Sequence, residues 1–214
     1  MNKIIKNTLI LFVITLVAGF GLGFVYNVTS DARAKQEEKT KLEAYKSVMN
    51  QMESFDEVVI DSTKAADYIK NLVKKNESAN NISTIKAFNA DIDNVILAKD
   101  SSENELGYIV TVTDNEAYDG SLQMTVGVKK DGTVTGISFL SLSETPGLGM
   151  KAKDDSFKNQ FNNKKAEFFE YKKSGATADN EINAISSATI TSNAVTHGVN
   201  AAVYCVKYIV GGGK

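Results

Sequence analysis

Residues 121–141 read SLQMTVGVKKDGTVTGISFLS, and this stretch decides the fold class. Leu122, Met124, Val126 and Val128 fall on alternate positions, the period of a half-buried strand with one face turned to a core. Lys130-Asp131-Gly132-Thr133 comes next, and an Asp-Gly pair between two apolar runs is a strong hairpin signal because both residues tolerate the backbone angles of a tight reversal. VTGISFLS (134–141) is then the returning strand. Upstream, LGYIVTVTD (106–114) is rich in β-branched and aromatic residues and reads as a further strand, with the change of period setting in at Val95. Hairpin-joined strands run antiparallel, and helical patterns lie on both sides of them in the chain. The expected class is therefore α+β, with an antiparallel sheet and flanking helices over residues 94–214.

Toward the N-terminus, residues 54–93 look peripheral. TKAADYIKNLVKKN (63–76) spaces Ala65, Ile69, Leu72 and Val73 as one apolar helical face, and the polar NESANNIST (76–84) reads as a loop. DARAKQEEKTKLEAYKSVMNQM (31–52) consists largely of good helix formers without Pro or Gly, which predicts a charged helical stalk. Before it, TLILFVITLVAGFGLGFVYNV (8–28) runs without a charge, close to the roughly 20 apolar residues that cross a bilayer as a helix. The alternative is a cleaved signal peptide, but the run exceeds an apolar region of about 7–15 residues and the cleavage pattern is weak. Lys3 and Lys6 precede the span while Asp31 offsets Arg33 and Lys35 after it, so the positive-inside rule keeps the N-terminus in the cytoplasm. The expected organisation is a transmembrane anchor at 1–30 in the cell (plasma or inner) membrane, a helical stalk and peripheral region at 31–93, and an extracytoplasmic domain at 94–214.

Composition narrows the function. The 214 residues carry a formal net charge of -2 with acids and bases scattered, which offers no basic field for a phosphate backbone; no nucleic-acid partner is expected. Cys205 is the one cysteine, which excludes an internal disulfide, a multi-cysteine zinc site and a cysteine-ligated iron–sulfur cluster, and it reads as a small apolar residue packed on a helix face. His197 is the one histidine; without partners for a metal site or a Ser-His triad, it reads as a surface or helix-capping residue. No metal site and no catalytic constellation is expected.

After the hairpin comes SETPGLGM (143–150), with Pro146 the only proline. Thr145-Pro146-Gly147 suits a tight turn and Gly149 lets another surface come close, though an ordinary turn leaving a sheet has the same letters. Lys151–Lys173, with Phe157, Phe161, Phe168, Phe169 and Tyr171 among many charges, reads as a helix or loop packed by aromatics on one side. Two similar boxes follow: Ser174-Gly175-Ala176-Thr177 and Ser186-Ser187-Ala188-Thr189. The first lies between Lys172-Lys173 and the polar Ala178-Asp179-Asn180-Glu181, the setting of an exposed loop. The second precedes a helical pattern in which Val195, Val199, Val203, Val206 and Val210 recur, with Thr191 or Ser192 placed to cap its start. Thr189 then sits just ahead of a helix N-terminus, where unpaired N–H groups and the helix dipole favour a phosphate; a plain N-cap with a Ser/Thr-rich lead-in fits the same letters.

SETPGLGM followed by INAISSATITSNAV (182–195) resembles the FMN-binding domain of the G subunit of the Rnf electron-transport complex, and more distantly the C subunit of the sodium-pumping NADH:quinone reductase. The resemblance covers the anchor and roughly residues 95–210. In those proteins a box Asp-x-x-Ser/Thr-Gly-Ala-Thr receives FMN through a phosphoester on its last threonine, installed by a flavin transferase that uses FAD as donor. Carried across, that threonine is Thr189. The resemblance implies that Ser186, Ser187, Ala188 and Thr191 surround the phosphate and that Glu144, Thr145, Gly147, Leu148 and Gly149 lie along the isoalloxazine ring, with Leu148 and Met150 available to cover its apolar face. Asn183 stands where the pattern has Asp, and Ser187 where it has Gly. Thr177 is read as a decoy, because Tyr171 stands where its box would need Asp and no helix follows.

The implied function is an electron-relay subunit of a membrane-bound ion-translocating ferredoxin:NAD oxidoreductase, carrying covalent FMN, with integral-membrane subunits, the lipid bilayer and the flavin transferase as partners. The alternatives are a membrane-tethered extracytoplasmic flavin reductase and a non-redox binding or scaffold domain.

Overall fold

A computed structural model describes residues 3–80 and 89–213, and the chain divides into two units at Leu42/Glu43. Up to Leu42 it is one helix. α1 (Lys3–Val48) contains an 18-residue window of mean hydropathy 2.5, none of it buried, and is long and apolar enough to cross a membrane. Its polar side chains bond back to its own carbonyls, Thr8 Oγ1 to Ile4 O at 3.0 Å and Thr15 Oγ1 to Phe12 O at 2.9 Å. Past the apolar run, the Arg33 guanidinium lies 4.1 Å over the Tyr26 ring and donates to Tyr26 O, a pairing suited to the interface between lipid and water. The helix continues through the charged stretch, as its helix-forming composition predicts.

From Glu43 onward the molecule is built around a six-stranded sheet of order β1-β2-β3-β4-β5-β6: β1 (Ser54–Glu57), β2 (Ala90–Lys99), β3 (Glu105–Ala117), β4 (Gly120–Val128), β5 (Thr133–Ser141) and β6 (Lys164–Lys165), every neighbouring pair antiparallel. The Asp-Gly hairpin joins β4 to β5, with Val126 opposite Ile137 and Val128 opposite Val134. Asp131 Oδ1 fixes the turn by accepting the Thr133 N–H at 3.0 Å. Leu122, Met124, Val126 and Val128 point into the core as their spacing predicts. The opposite face is covered toward the hairpin end, where Thr125 is buried and the last turn of α1 docks against Gly127, with Thr135 Oγ1 donating to Val48 O, while Ser121 at the other end of β4 is exposed. Tyr45, Val48, Met49 and Met52 pack there on Ile96, Ala98 and Ile109 as a second small core.

α4 (Thr189–Val210) covers the main face of the sheet and is buried along most of its length, Cys205 included. α2 (Ser62–Asn80) lies beside it, burying Ala65, Ile69 and Val73; the Asn76 side-chain amide donates to Tyr204 Oη at 2.6 Å.

Several expectations need correction. β1 lies in the region read as peripheral, yet it pairs with β2 over Ser54–Glu57; four residues are too few to show a period. The strand read from Val95 begins at Ala90. The supposed loop at 76–84 is helix through Asn80, and 81–84 lie outside the described residues. Lys151–Lys173 is not one helix or loop. It comprises turns at Gly149–Lys153 and Asn159–Phe161, a short α3 (Asp155–Lys158), β6 and β7 (Glu170–Lys172), held by an edge-to-face chain of Phe157, Phe161 and Phe169. β7 pairs in parallel with β8 (Glu181–Asn183). Val210 is exposed, and His197 is not on the surface but 2% exposed in the core.

Candidate functional site

The first turn of α4 opens into a cavity of about 490 Å³, within the roughly 300–1,000 Å³ of small-molecule sites. One wall is Ser187, Ala188, Thr189, Ile190 and Thr191; the other is Glu144, Thr145, Leu148 and Gly149, with Tyr118 entering from the β3–β4 connection. The two segments that the sequence singled out, some forty residues apart, thus meet across one space.

Each wall has a local cause. After β5, Pro146 and Gly147 reverse the chain, with Gly147 at φ 77° and Leu148 N–H donating to Thr145 O at 3.1 Å. A Cβ on Gly149 would lie 2.5 Å from Glu144 Oε2 and 2.7 Å from Thr191 Oγ1, so only glycine lets this loop reach α4. Glu144 is itself buried; its Oε1 accepts the Tyr118 N–H at 3.0 Å, tying the β3–β4 connection to the Pro-Gly loop. On the other side Ser187 stands at φ 61°, the left-handed region that glycine adopts freely and serine at a cost. The backbone of the box therefore turns where the family pattern has Gly.

Thr189 does not precede the helix but is its first residue, with Ala188 in the cap position and no side-chain cap. Thr191 and Ser192 are not caps either. Both are buried inside the helix, and Ser192 Oγ accepts Ile185 N–H while donating to Ala188 O, each at 2.9 Å, so it staples the box to the first turn. The first N–H groups of α4 have no carbonyl partner within the helix, and the residues that carry them, Thr189, Ile190 and Thr191, line the cavity at the positive end of the helix dipole. No lysine or arginine lines that cavity among the described residues, and Glu144 is its one ionisable carboxylate. A phosphate held here has helix amides and dipole to meet it, without an ion pair. A second cavity of similar volume sits beside Lys130, Lys165 and Lys207 at the opposite end of α4. Lys130 is paired there with Glu105 and Lys165 with Asp131, and the helix end carries the negative partial charge.

The cavity wall thus includes Thr189, Ser187, Ala188, Thr191, Glu144, Thr145, Leu148 and Gly149, while Ser186 is exposed beside it and Gly147 serves the turn. Met150 is not part of the wall. Tyr118 and Ile190, 67% and 51% exposed, line it and were missed. Ile190 is an apolar residue inside the motif that faces away from the core; Tyr118 sits in a hairpin connection whose sequence carries no sign of the loop it meets.

The first box lies elsewhere, in the β7–β8 connection. Thr177 N–H, Thr177 Oγ1 and Ala178 N–H all donate to Glu181 Oε2 at 2.7–3.0 Å. Those backbone donors, Thr177 first, hold the Glu181 carboxyl down at about 2. Asn183 also serves this loop: its Oδ1 accepts Ala176 N–H at 2.7 Å, and its own N–H donates to Gln160 Oε1.

The sequence pattern of the FMN-binding domain family matches residues 117–204, the segment that includes Tyr118 and both cavity walls. The G subunit of the Na(+)-translocating ferredoxin:NAD(+) oxidoreductase complex of Acetobacterium woodii is 33% identical over 203 residues, 94% of this chain and 90% of that one. The chain belongs to the G-subunit family of Rnf-type complexes. Within that family, the G subunit of the proton-translocating ferredoxin:NAD(+) oxidoreductase complex of Clostridium ljungdahlii is 40% identical over 115 residues, 54% of this chain and 61% of its own. The C subunit of the Na(+)-translocating NADH-quinone reductase from Parabacteroides distasonis superposes with a TM-score of 0.47 at 22% identity, over 74% of this chain and 76% of that one. The chain thus joins an apolar N-terminal helix to an α+β FMN-binding domain with an antiparallel sheet.

Proposed function

We propose that this chain is the electron-relay subunit of a membrane-bound, ion-translocating ferredoxin:NAD oxidoreductase complex, with FMN attached by a phosphoester to Thr189 in a domain outside the cytoplasm. The observation that carries the attachment is the position of Thr189: the first residue of a helix without a side-chain cap, half-buried, on the wall of a cavity closed by the Pro-Gly loop. The helix amides and dipole favour the phosphate, while Ser187, Ala188 and Thr191 shape the space around it, with Ser186 at its edge. Thr145, Leu148 and Gly149 bring backbone and apolar surface to the ring, the turn at Gly147 aims them, and Glu144 holds Tyr118 and this loop together. The flavin supplies the redox chemistry, and the protein binds, orients and shields it. A cavity that offers a phosphate no cation is a weak site for a freely exchanging FMN, which favours a covalent bond made by a flavin transferase. Lipid and the other integral-membrane subunits are the remaining partners.

The test is the intact mass of the protein from its native membrane together with in-gel flavin fluorescence after denaturation. Thr189→Ala is expected to abolish both the FMN mass and the fluorescence, and Thr177→Ala to leave both unchanged. FMN mapped to the peptide containing Thr177 would overturn the assignment.

A further inference from the structure

Two ionisable side chains that the proposed electron relay does not use face each other in the core. Asp114 on β3 is 0% exposed and His197 on α4 is 2% exposed, with Asp114 Oδ2 lying 4.0 Å from His197 Nδ1. Asp114 Oδ1 accepts the Glu116 N–H at 2.9 Å, while Oδ2 finds no hydrogen-bond donor among the described residues. A carboxylate and an imidazole buried together compete for protons as one coupled unit, because each neighbour's charge sets the other's affinity. Burial pushes the Asp114 carboxyl up to about 7, and the carboxylates of Glu116 on β3 and Asp91 on β2 push in the same direction. Of the other elements packed here, β4 places Leu122 opposite Asp114, and α4 carries no other ionisable residue before Tyr204.

Both residues sit on elements whose ends build the cavity. His197 is eight residues along α4 from Thr189, roughly 12 Å of helix. Asp114 is four residues along β3 and its connection from Tyr118, roughly 13 Å of strand. We propose that Asp114 and His197 form a single buried proton-binding site whose proton affinity is set by negative charge at the N-terminal end of α4. A negative charge there favours the protonated pair through a low-dielectric interior. If the proposed function holds, on which this last step rests, an electron reaching the flavin from a neighbouring redox carrier raises the protonation of the pair by up to about half a proton, taken from water, so that part of the added charge is compensated inside the domain.

His197 is the only histidine, so in full-length chain labelled with ¹³C,¹⁵N-histidine and held in nanodiscs one imidazole titration reads the pair directly. Thr189→Asp places a charge at the start of α4 and Thr189→Asn does not; neither needs a cofactor, so failure of the coupling is separate from failure of the flavin assignment. The midpoint in Thr189→Asp is expected above that in Thr189→Asn by up to about one pH unit, the size of a unit-charge interaction across roughly 12 Å at an effective dielectric near 20. Asp114→Asn is expected to lower the His197 midpoint, because a buried imidazolium then loses its counter-charge. His197→Gln gives an independent reading: with ¹³C-aspartate labelling, one carboxyl signal should still titrate well above the others. Equal midpoints in the two Thr189 variants, or an imidazole unmoved by Asp114→Asn, would overturn the proposal.

Discussion

Ser187 shows what a motif hides. From the letters alone it is a small residue standing in for glycine, with only a modest restriction, but the backbone at that position is left-handed at φ 61°. Serine there costs about 1 kcal/mol relative to its usual conformations, partly offset in a comparison with glycine by glycine's greater freedom when unfolded. Ser187→Gly is therefore expected to stabilise the chain by about 0.5 kcal/mol, a rise in melting temperature of about 1–2 °C by thermal denaturation in detergent. Asn183 is the other departure from the family box, and its side-chain oxygen holds the Ala176 N–H. Asp retains that acceptor and Leu does not. The flavin-to-protein absorbance ratio is expected to change little in Asn183→Asp and to fall strongly in Asn183→Leu, all variants being made with the same transferase. A several-fold rise in Asn183→Asp would mean that the transferase requires the charge.

Elements were legible where a period repeats and illegible where a contact across the fold decides. The β4–β5 hairpin and the apolar spine of α4 stand in the sequence because four or five residues repeat at one spacing. His197 breaks that rule: it lies on α4 among valines, but a lone imidazole gives no sign that the facing strand offers Asp114. Asn200 is similar. Its amide accepts Phe169 N–H at 2.7 Å and donates to Phe169 O at 2.9 Å, pinning the aromatic segment before β7 to the middle of α4. Asn200→Ala leaves two buried backbone groups unpaired and is expected to cost roughly 3 kcal/mol, seen as a loss of melting temperature well beyond that of an exposed Asn→Ala control such as Asn115.

For the whole molecule, the division between an apolar helix and an α+β body was readable, since an uncharged run and alternating strands are long-range patterns. Where the body begins was not, because β1 is short and the turn of α1 that docks on the sheet looks like the rest of a charged stalk. The proposed topology, with the body outside the cytoplasm, predicts that protease added to spheroplasts digests residues beyond the span. Protection there, with digestion only in inverted vesicles, would reverse the orientation.

Cys205 gives the molecule a further property. It is fully buried on α4, and burial pushes its thiol up to about 12, so a maleimide meets neither an accessible sulfur nor a thiolate while the fold is closed. Spectroscopists can thus treat the native chain as cysteine-free: a reporter cysteine introduced at an exposed position takes up a spin label or dye without prior removal of Cys205. The slow alkylation of Cys205 itself becomes a clock for the rate at which the helix that begins with Thr189 lifts from the sheet.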